Sequence, residues 1–177
     1  MYDSTMTNKS DLPHIGKTRK INVIGHVNGV PAKIDTGADS SSIWATNIQV
    51  DRLGQLHFTL FGEGSEFYTG EVITRTAFKV AMVRSSSGHE QLRYRAELPI
   101  RLGGKRIRTL FNLSDRKNNK FPILIGRRTI VGKFLVDVRR GHKVNKVFDV
   151  RKLNKELRNN PYEFHKKYHG MTEGEIT

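Results

Sequence analysis

Residues 32–42 read AKIDTGADSSS, and Asp35 stands near the centre of this stretch. A short apolar approach leads directly into a turn of small residues, which predicts a carboxylate at the mouth of a fold rather than on a solvated face. A catalytic aspartate is presented in this way. An isolated Asp-Thr-Gly also occurs by chance and usually marks only a tight turn, because Asp and Gly both favour turns. The rest of the sequence must decide between these interpretations.

The composition limits the class of protein. The chain has 177 residues, enough for one domain of ordinary size with short extensions. Hydrophobic residues make up 36%, which together with 16 glycines predicts an economical, β-rich core. The formal net charge of +14 should attract a polyanion such as nucleic acid, an anionic membrane or an acidic polypeptide. A solvated basic surface without a dedicated partner is an equally common explanation of a basic run.

Several kinds of site are excluded or disfavoured. Cysteine is absent, which excludes disulfides, cysteine-ligated zinc and thiol catalysis. The sequence has neither a G-x-x-x-x-G-K-[ST] phosphate loop nor an H-E-x-x-H motif. We therefore expect no cofactor and no essential metal, and we expect His165 and His169 to be surface residues. No run reaches the ~18 apolar residues of a membrane span, and the N-terminus lacks an apolar targeting core, so we expect a cytoplasmic protein without membrane association.

The sequence around Asp35 predicts an arm followed by a hairpin. Residues 1–17 carry no hydrophobic period and are expected to be a flexible arm. Order is predicted to begin near Arg19, and Asn28-Gly29 has the chemistry of a hairpin turn. The second strand of that hairpin ends on Asp35.

Alternating apolar residues predict further strands. Residues 41–48 are compatible with a strand or a helix, whereas residues 55–61 alternate as a half-buried strand. Two longer alternating runs, at 76–84 and 91–102, flank small residues and predict a long hairpin with a mobile tip. Gly-Gly at 103–104 marks the next turn.

The last part of the domain has a continuous apolar run, FPILIG at 121–126, which predicts a strand buried on both faces. One helical turn at 127–131 and a closing strand at 134–138 follow it. Many strands with short turns and little helix predict a small all-β barrel or sandwich. We place the domain at residues 18–141 and a basic, partly helical C-terminal extension at 142–177.

Three separated stretches carry a family resemblance. They are AKIDTGADSSSIWA from Ala32, VRSSSGHEQLRYRAELPIRLGGKRI from Val83, and FPILIGRRTIVGKFLVDV from Phe121. In this order they resemble the retropepsins, which are single-lobed aspartic proteases. The resemblance is closest to bacterial retropepsin-like proteins often labelled "ATP-dependent zinc proteases" and associated with ribosomal-protein glutamate ligase. It covers roughly residues 19–140 and implies a closed β-barrel of the acid-protease fold.

The resemblance implies roles for individual residues. Asp35 matches the catalytic aspartate, Thr36 the residue whose hydroxyl ties two active-site loops together, and Gly37 a position without room for a Cβ. The residues that it implicates in supporting the Asp35 loop are Ala38, Gly126 and Arg127. The residues that match the tip of a substrate-covering flap are Ser85, Ser86, Ser87 and Gly88. Trp44 departs from the pattern, because similar sequences often have histidine there.

Aspartic proteolysis requires two carboxylates that share one proton, because like charges so close together cannot both ionise. This chain supplies a single Asp-Thr-Gly. An active enzyme therefore implies a homodimer with two copies of Asp35 at a twofold axis. The alternative is that Asp35 is only a turn residue in an inactive descendant of the family.

Basic residues on the predicted flap hairpin favour an acidic or glutamate-rich polypeptide as substrate. The residues that we place at the substrate are Lys79, Arg84, Arg93 and Arg95, with further cations at Arg101, Arg127 and Arg128. Two other functions stay open. One is a basic RNA- or ribosome-binding module on an inactive retropepsin scaffold, with the C-terminal tail following phosphates. The other is a purely structural dimer with a degenerate site.

Overall fold

The computed structural model of the chain describes residues 12–84, 90–141 and 150–169. These residues belong to two compact units, Met1–His142 and Lys143–Thr177. The described part of the first unit is mostly β-structure with one short helix, which confirms the predicted fold class. In the described ranges, no helix is both long enough and apolar enough to cross a membrane.

The strands of the first unit follow one another through short connections, as the alternating apolar residues predict. In chain order they are β1 (His14–Gly16), β2 (Thr18–Val23), β3 (Val27–Asp35), β4 (Ser41–Val50), β5 (Leu56–Leu60), β6 (Val72–Arg75), β7 (Phe78–Arg84), β8 (Glu90–Leu102), β9 (Lys105–Ser114), β10 (Ile123–Gly126) and β11 (Leu135–Asp137). A single helical turn, α1 (Arg127–Ile130), lies between the last two strands.

Six strands pair around a closed ring in the order β10, β3, β2, β8, β9 and β4, and β4 pairs again with β10. The predicted closed barrel is therefore confirmed. Strands β3 and β10 run parallel, with Asp35 opposite Gly126. Strands β5 and β6 extend the sheet from β4, while β7 pairs only with β8. Because β3 is paired on both sides, the position of its C-terminal end is fixed by the barrel.

Apolar side chains from alternate strand positions fill the barrel. On β3, Val30, Ala32 and Ile34 are buried, and on β10 Ile123 and Ile125 are completely buried. Full burial of an aliphatic side chain contributes about 1.5–3 kcal/mol relative to its exposure. This core anchors the two strands that lead into the candidate loops.

The first hairpin is confirmed, but the prediction of its turn at Asn28-Gly29 is wrong. The chain reverses at residues 24–26, where Gly25 has a φ of 87°. Asn28 and Gly29 lie inside β3, and the backbone N–H of Gly29 donates to Asn22 Oδ1 at 2.9 Å. The left-handed backbone that the turn needs is provided by Gly25, which is not preceded by the Asn or Asp that would have indicated this turn.

The flexible arm predicted at residues 1–17 is wrong for its last part. Residues 14–16 form β1, which pairs in parallel with β11, and Ile15 is buried. Strand β11 is the closing strand predicted at 134–138. Residues 1–11 lie outside the described part of the chain.

Residues 41–48, for which the sequence was compatible with a strand or a helix, form part of strand β4. Strand β6 was not predicted, because four residues beside Gly70 are too few to show an alternating pattern. The β7–β8 hairpin and the following turn are confirmed, and Gly103 and Gly104 have φ values of 54° and 83°. These values lie in the left-handed region that glycine tolerates best.

The described part of the second unit contains two helices, α2 (Val150–Asn159) and α3 (Pro161–His169). Helix α2 overlaps the weak helical pattern of residues 148–158, whereas the polar sequence of α3 did not predict a helix. The Nζ of Lys167 donates to Glu156 Oε1 at 2.5 Å and so links the two helices.

Candidate active site

Asp35 is the last residue of β3, and its carboxylate lies where the strand enters a turn. The Oδ1 atom accepts a hydrogen bond from the backbone N–H of Gly37 at 3.2 Å. The Oδ2 atom lies 3.4 Å from Lys33 Nζ. With 27% of its side chain exposed, Asp35 is held by its own loop and remains accessible to water.

The start of α1 supports the loop that follows Asp35. The backbone N–H of Arg127 donates to the Ala38 carbonyl at 2.8 Å, and that of Arg128 donates to the Asp39 carbonyl at 3.2 Å. The guanidinium of Arg127 also lies 2.5 Å from Asp39 Oδ1. The structure thus brings Ala38, Gly126 and Arg127 together beside the loop, at the place where the resemblance implied supporting residues. Asp39 is an additional contact that sequence reasoning did not identify.

A buried hydroxyl group makes a second connection to this loop. Ser41 Oγ lies 2.8 Å from Thr129 Oγ1 and accepts a hydrogen bond from the Gly126 N–H at 3.0 Å. Both hydroxyl residues are buried, with 2% and 7% exposure. Sequence reasoning missed this pair, because a serine within SSS gives no indication of a partner 88 positions away.

The glycine without room for a Cβ is Gly126 rather than Gly37. A Cβ on Gly126 would lie 2.5 Å from the carbonyl carbon of Ser40 and 2.9 Å from the Ala38 oxygen. A Cβ on Gly37 would meet only Asp35 Oδ1, at an ordinary distance of 3.5 Å. The predicted crowding at Gly37 is therefore wrong for the single chain. The side chain of Thr36, which we expected to join two loops, is exposed.

Arg116 is a second cation near Asp35, and sequence reasoning did not single it out. Its Nε donates to the Phe121 carbonyl at 3.2 Å. Burial and the positive charge of Arg93 lower the pKa of Arg116, while the negative charge of Asp35 acts in the opposite direction. The carboxylate therefore lies in a positive environment supplied by a strand lysine and a loop arginine.

The β7–β8 hairpin separates the predicted substrate residues into two groups. Arg93 lies near Arg116, as its effect on the Arg116 pKa indicates. Lys79 and Arg95 are opposite each other in the strand register and line a different cavity. Arg84 ends β7, and its side chain lies outside the described set.

Arg101 lies at the far end of β8, opposite Arg106, and its side chain is not among those that line the cavity. The predicted flap tip, residues 85–88, lies outside the described part of the chain.

The apolar residues in the outer half of this hairpin do not enter the core, whereas Ala96, Leu98 and Ile100 nearer its base do. Val80, Met82 and Leu92 are all more than half exposed. Met82 and Leu92 are cross-strand partners, and Val80 is opposite Tyr94. The single chain therefore presents an apolar strip on one side of its proposed flap.

Residues 14–146 match the family described as retropepsin-like aspartic endopeptidase RimB. The chain belongs to the RimB-like family. This confirms the resemblance to glutamate-ligase-associated retropepsin-like proteins, and the match begins at β1 within the predicted arm. The family name supports an aspartic-peptidase-like hydrolase as the general class.

Curated relatives of this RimB-like chain are named probable alpha-L-glutamate ligases. One from Shewanella pealeana is 30% identical over 114 residues, and one from Desulfotalea psychrophila is 26% identical over 123 residues. Each alignment covers 63% of this chain but 25% of the relative, so the chain spans about a quarter of the relatives' length.

A solved structure of a Legionella pneumophila protein of unknown function is similar to the RimB-like chain. The two are 26% identical with a TM-score of 0.54, and the alignment covers 74% of this chain and 97% of that protein.

Trp44 is a core residue in this RimB-like chain. It is 8% exposed and meets Phe61 edge to face, with ring centroids 6.3 Å apart. Tryptophan has no titratable group, so position 44 of this chain cannot supply the acid–base chemistry of a histidine. In the described ranges, no three His, Asp or Glu side chains form a group that could hold a metal ion. His165 is exposed, as expected.

Proposed function

We propose that the protein is a homodimeric aspartic peptidase in which two copies of Asp35 form the catalytic pair. The observation that carries this proposal is the support of the Asp35 loop. The partly exposed carboxylate at the strand end accepts a hydrogen bond from the Gly37 N–H, and the backbone of the following loop is held by hydrogen bonds from α1 to the Ala38 and Asp39 carbonyls. Because α1 is distant from this loop in the sequence, the loop is held by more than the local hydrogen bond that any turn aspartate can make.

The proposed chemistry uses water as the nucleophile. The ionised carboxylate removes a proton from water, and the resulting hydroxide attacks the peptide carbonyl carbon. The protonated carboxyl of the other copy donates a hydrogen bond to the carbonyl oxygen and then a proton to it. Collapse of the tetrahedral intermediate breaks the C–N bond: the carboxyl that took a proton from water gives it to the leaving amine nitrogen, and the other carboxylate takes back a proton from a hydroxyl of the intermediate as the product carboxyl group forms.

The proposed substrate is an acidic, glutamate-rich polypeptide. Lys33 and Arg116 lie beside Asp35, and Arg93 lies near Arg116. Such cations attract carboxylate side chains at long range and hydrogen-bond them on contact. The alpha-L-glutamate ligase names of the curated relatives point to the same chemistry.

Replacement of the aspartate tests the catalytic proposal. Asp35→Asn should abolish cleavage of a glutamate-rich peptide and leave the fold and melting temperature unchanged. Glu63→Gln is the matched control, because Glu63 is exposed and outside the Asp35 loop. Equal activity of Asp35→Asn and wild type would contradict the proposal and favour a structural dimer.

The charge dependence of cleavage tests the substrate class. The kcat/KM for a poly-glutamate peptide should fall as salt is added, whereas that for a neutral peptide of equal length should change little. Equal rates for both peptides, independent of salt, would contradict the proposal that the cations near Asp35 select an acidic substrate.

Helix α2 favours RNA binding as a second candidate function. Its basic residues fall on one side of the helix, opposite an apolar side formed by Val150, Leu153 and Leu157. The basic residues are Arg151, Lys152, Lys155 and Arg158. The phosphate backbone of RNA could bind along this basic face of the helix. Removal of residues 143–177 should weaken RNA binding and preserve peptidase activity, and unchanged RNA affinity would exclude this function for the tail.

A further inference from the structure

A cavity of about 700 Å³ lies beside the Asp35 loop and is lined largely by cations. Parts of β7, β8, β9, α1 and the loop after Asp35 contribute to its wall. The cationic residues that line it are Lys79, Arg95, Lys105, Arg106, Arg108, Arg128 and Lys133. The contribution of β9 could not be predicted, because its arginines alternate with core residues as on any strand with one solvated face.

The cations in this cavity are incompletely neutralised. In the described chain, the wall's ion pairs are long and exposed: Arg128 lies 4.0 Å from Asp39, and Arg108 lies 3.9 Å from Glu97. Arg108 is 83% exposed, so its pair contributes little. The wall therefore carries an excess of positive charge.

Within the described ranges, Arg95 carries a buried, unpaired hydrogen-bond donor in the cavity wall. One guanidinium nitrogen donates to Ser40 Oγ at 3.3 Å, but the buried Nε has no hydrogen-bond partner among the described residues. Burial first, and then the like charge of Arg128, lower the pKa of Arg95. A bound oxyanion would satisfy the donor and relieve the repulsion between the two arginines.

The composition of the wall indicates which anion fits. None of the described side chains that line the cavity is aromatic, so it offers no surface on which a nucleotide base could stack. Four arginines and three lysines instead suit several separate carboxylates, which arginine binds in a bidentate manner.

The cavity is connected to Asp35 by a row of cations. Arg93 and Arg95 are two positions apart on the same side of β8, which corresponds to about 7 Å along a strand. Arg93 influences Arg116, which in turn feels the charge of Asp35. On the other side, Ser40 lines the cavity and belongs to the Asp35 loop. An extended acidic peptide that runs from Asp35 to the cavity would thus pass cationic side chains along the way.

We propose that this cavity is a second binding site for the acidic substrate, which holds carboxylates several residues away from the bond to be cleaved. This inference rests on the proposed function. A binding site in the cavity would make the enzyme cleave long acidic segments in preference to short ones. Each additional glutamate extends the substrate by about 3.3 Å, so a few residues beyond the scissile bond are needed to reach the cavity.

Two variants of the full-length protein test this site by activity. Arg106→Gln/Arg108→Gln removes two exposed cavity cations, while Arg52→Gln/Arg75→Gln removes the same charge away from the cavity. Cleavage is measured on glutamate peptides of about three and about twelve residues. The cavity variant should lower kcat/KM for the long peptide about tenfold more than for the short one, equivalent to ~1.4 kcal/mol. The control variant should change the kcat/KM values for the long and the short peptide by the same factor. An equal loss for both peptides in the cavity variant would overturn the proposal.

Binding to the Asp35→Asn protein separates this inference from the catalytic proposal. The long peptide, fluorescently labelled, should bind about tenfold more weakly when Arg106 and Arg108 are also replaced. If wild type cleaves nothing but this binding difference is found, the cavity site stands and the proposed function fails. If cleavage depends on Asp35 but the difference is absent, the function stands and the cavity inference fails. Binding of a single-stranded RNA oligonucleotide in preference to the peptide would also overturn the inference.

Discussion

At the scale of single residues, the support of Asp35 depends on small groups with no room to change. Gly126 lies against the backbone of Ser40, and its N–H donates to the buried Ser41 hydroxyl. Thr129 completes the arrangement through its own hydroxyl. The atoms that a Cβ on Gly126 would meet belong to the backbone of Ser40 and Ala38. They cannot move aside as the end of a flexible side chain could.

Gly126→Ala should therefore displace the Asp35 loop. We expect a loss of about 1–3 kcal/mol in the free energy of unfolding, because the added methyl group overpacks a site bounded by backbone. Peptidase activity should fall further than stability predicts. Gly37→Ala is the control for stability, because its Cβ would have ordinary contacts only. Denaturant unfolding of both variants measures their free energies of unfolding. Equal values would show that the Asp35 loop can shift to accommodate the added methyl group.

Ser41→Ala should leave two buried polar groups without a partner, the Gly126 N–H and the Thr129 hydroxyl. An unsatisfied buried group costs about 1–3 kcal/mol. Thr129→Val removes one of these groups, so the double variant should be less destabilised than the sum of the single variants. A double-mutant cycle by chemical denaturation measures this coupling. Additive effects would mean that the two hydroxyls do not act together.

Sequence reasoning located the Asp35 loop and the Gly-Arg segment beside it because both are short motifs. It could not find Ser41 or Arg116, since neither residue type nor neighbours reveal a partner across the barrel. It also assigned the crowding to Gly37 instead of Gly126, because a glycine inside a motif says nothing about which atoms approach it. Contacts between distant segments require the pairing of β3 with β10 to be known.

At the scale of elements, the two ends of the barrel domain are tied together by β1 and β11. The Asp137 carboxylate at the end of β11 accepts hydrogen bonds from the Arg139 backbone and side chain, and Arg140 lies 3.3 Å away. The Arg140 carbonyl accepts a hydrogen bond from the Lys17 N–H at 2.8 Å. The sequence predicted β11 but not its partner, because three residues of β1 are too few to show a pattern.

Asp137 should make the stability of this strand pair depend on pH. The hydrogen bonds from Arg139 lower the pKa of Asp137 from 3.8 to about 2. A lowered carboxyl pKa stabilises the folded state above the unfolded value, and that contribution disappears as the pH falls through the folded value. Asp137→Asn should thus be less stable than wild type at pH 7, and the difference should shrink between pH 4 and about 2. Unfolding curves at several pH values test this, and a constant difference would contradict it.

At the scale of the whole molecule, each chain contributes one Asp-Thr-Gly and an exposed apolar strip on its β7–β8 hairpin. The proposed function requires a second chain to complete the carboxylate pair. The formal net charge of +14 works against this association at low salt, because two basic chains repel each other. Added salt would therefore favour the proposed dimer while it weakens the attraction of an acidic substrate. For this reason, the salt dependence of kcat/KM is compared at a protein concentration high enough that activity per chain is constant.

Mixing wild-type protein with excess Asp35→Asn protein tests the shared site. Heterodimers would carry one carboxylate instead of two, so activity per wild-type chain should fall towards zero as the variant is added. Dilution of wild type alone should also lower its specific activity once dimers dissociate. Activity that is proportional to wild-type concentration throughout would show that one chain is sufficient.

The parallel pairing of β3 with β10 also affects how the protein is made. Asp35 and Gly126 are register partners, although 91 residues separate them along the chain. During synthesis, Asp35 leaves the ribosome long before the strand and helical turn that support it. Contacts between such distant segments form late, because a long loop must close first. A nascent or prematurely terminated chain would therefore carry the aspartate without the support proposed to make it reactive, which would protect the cell from unregulated peptidase fragments.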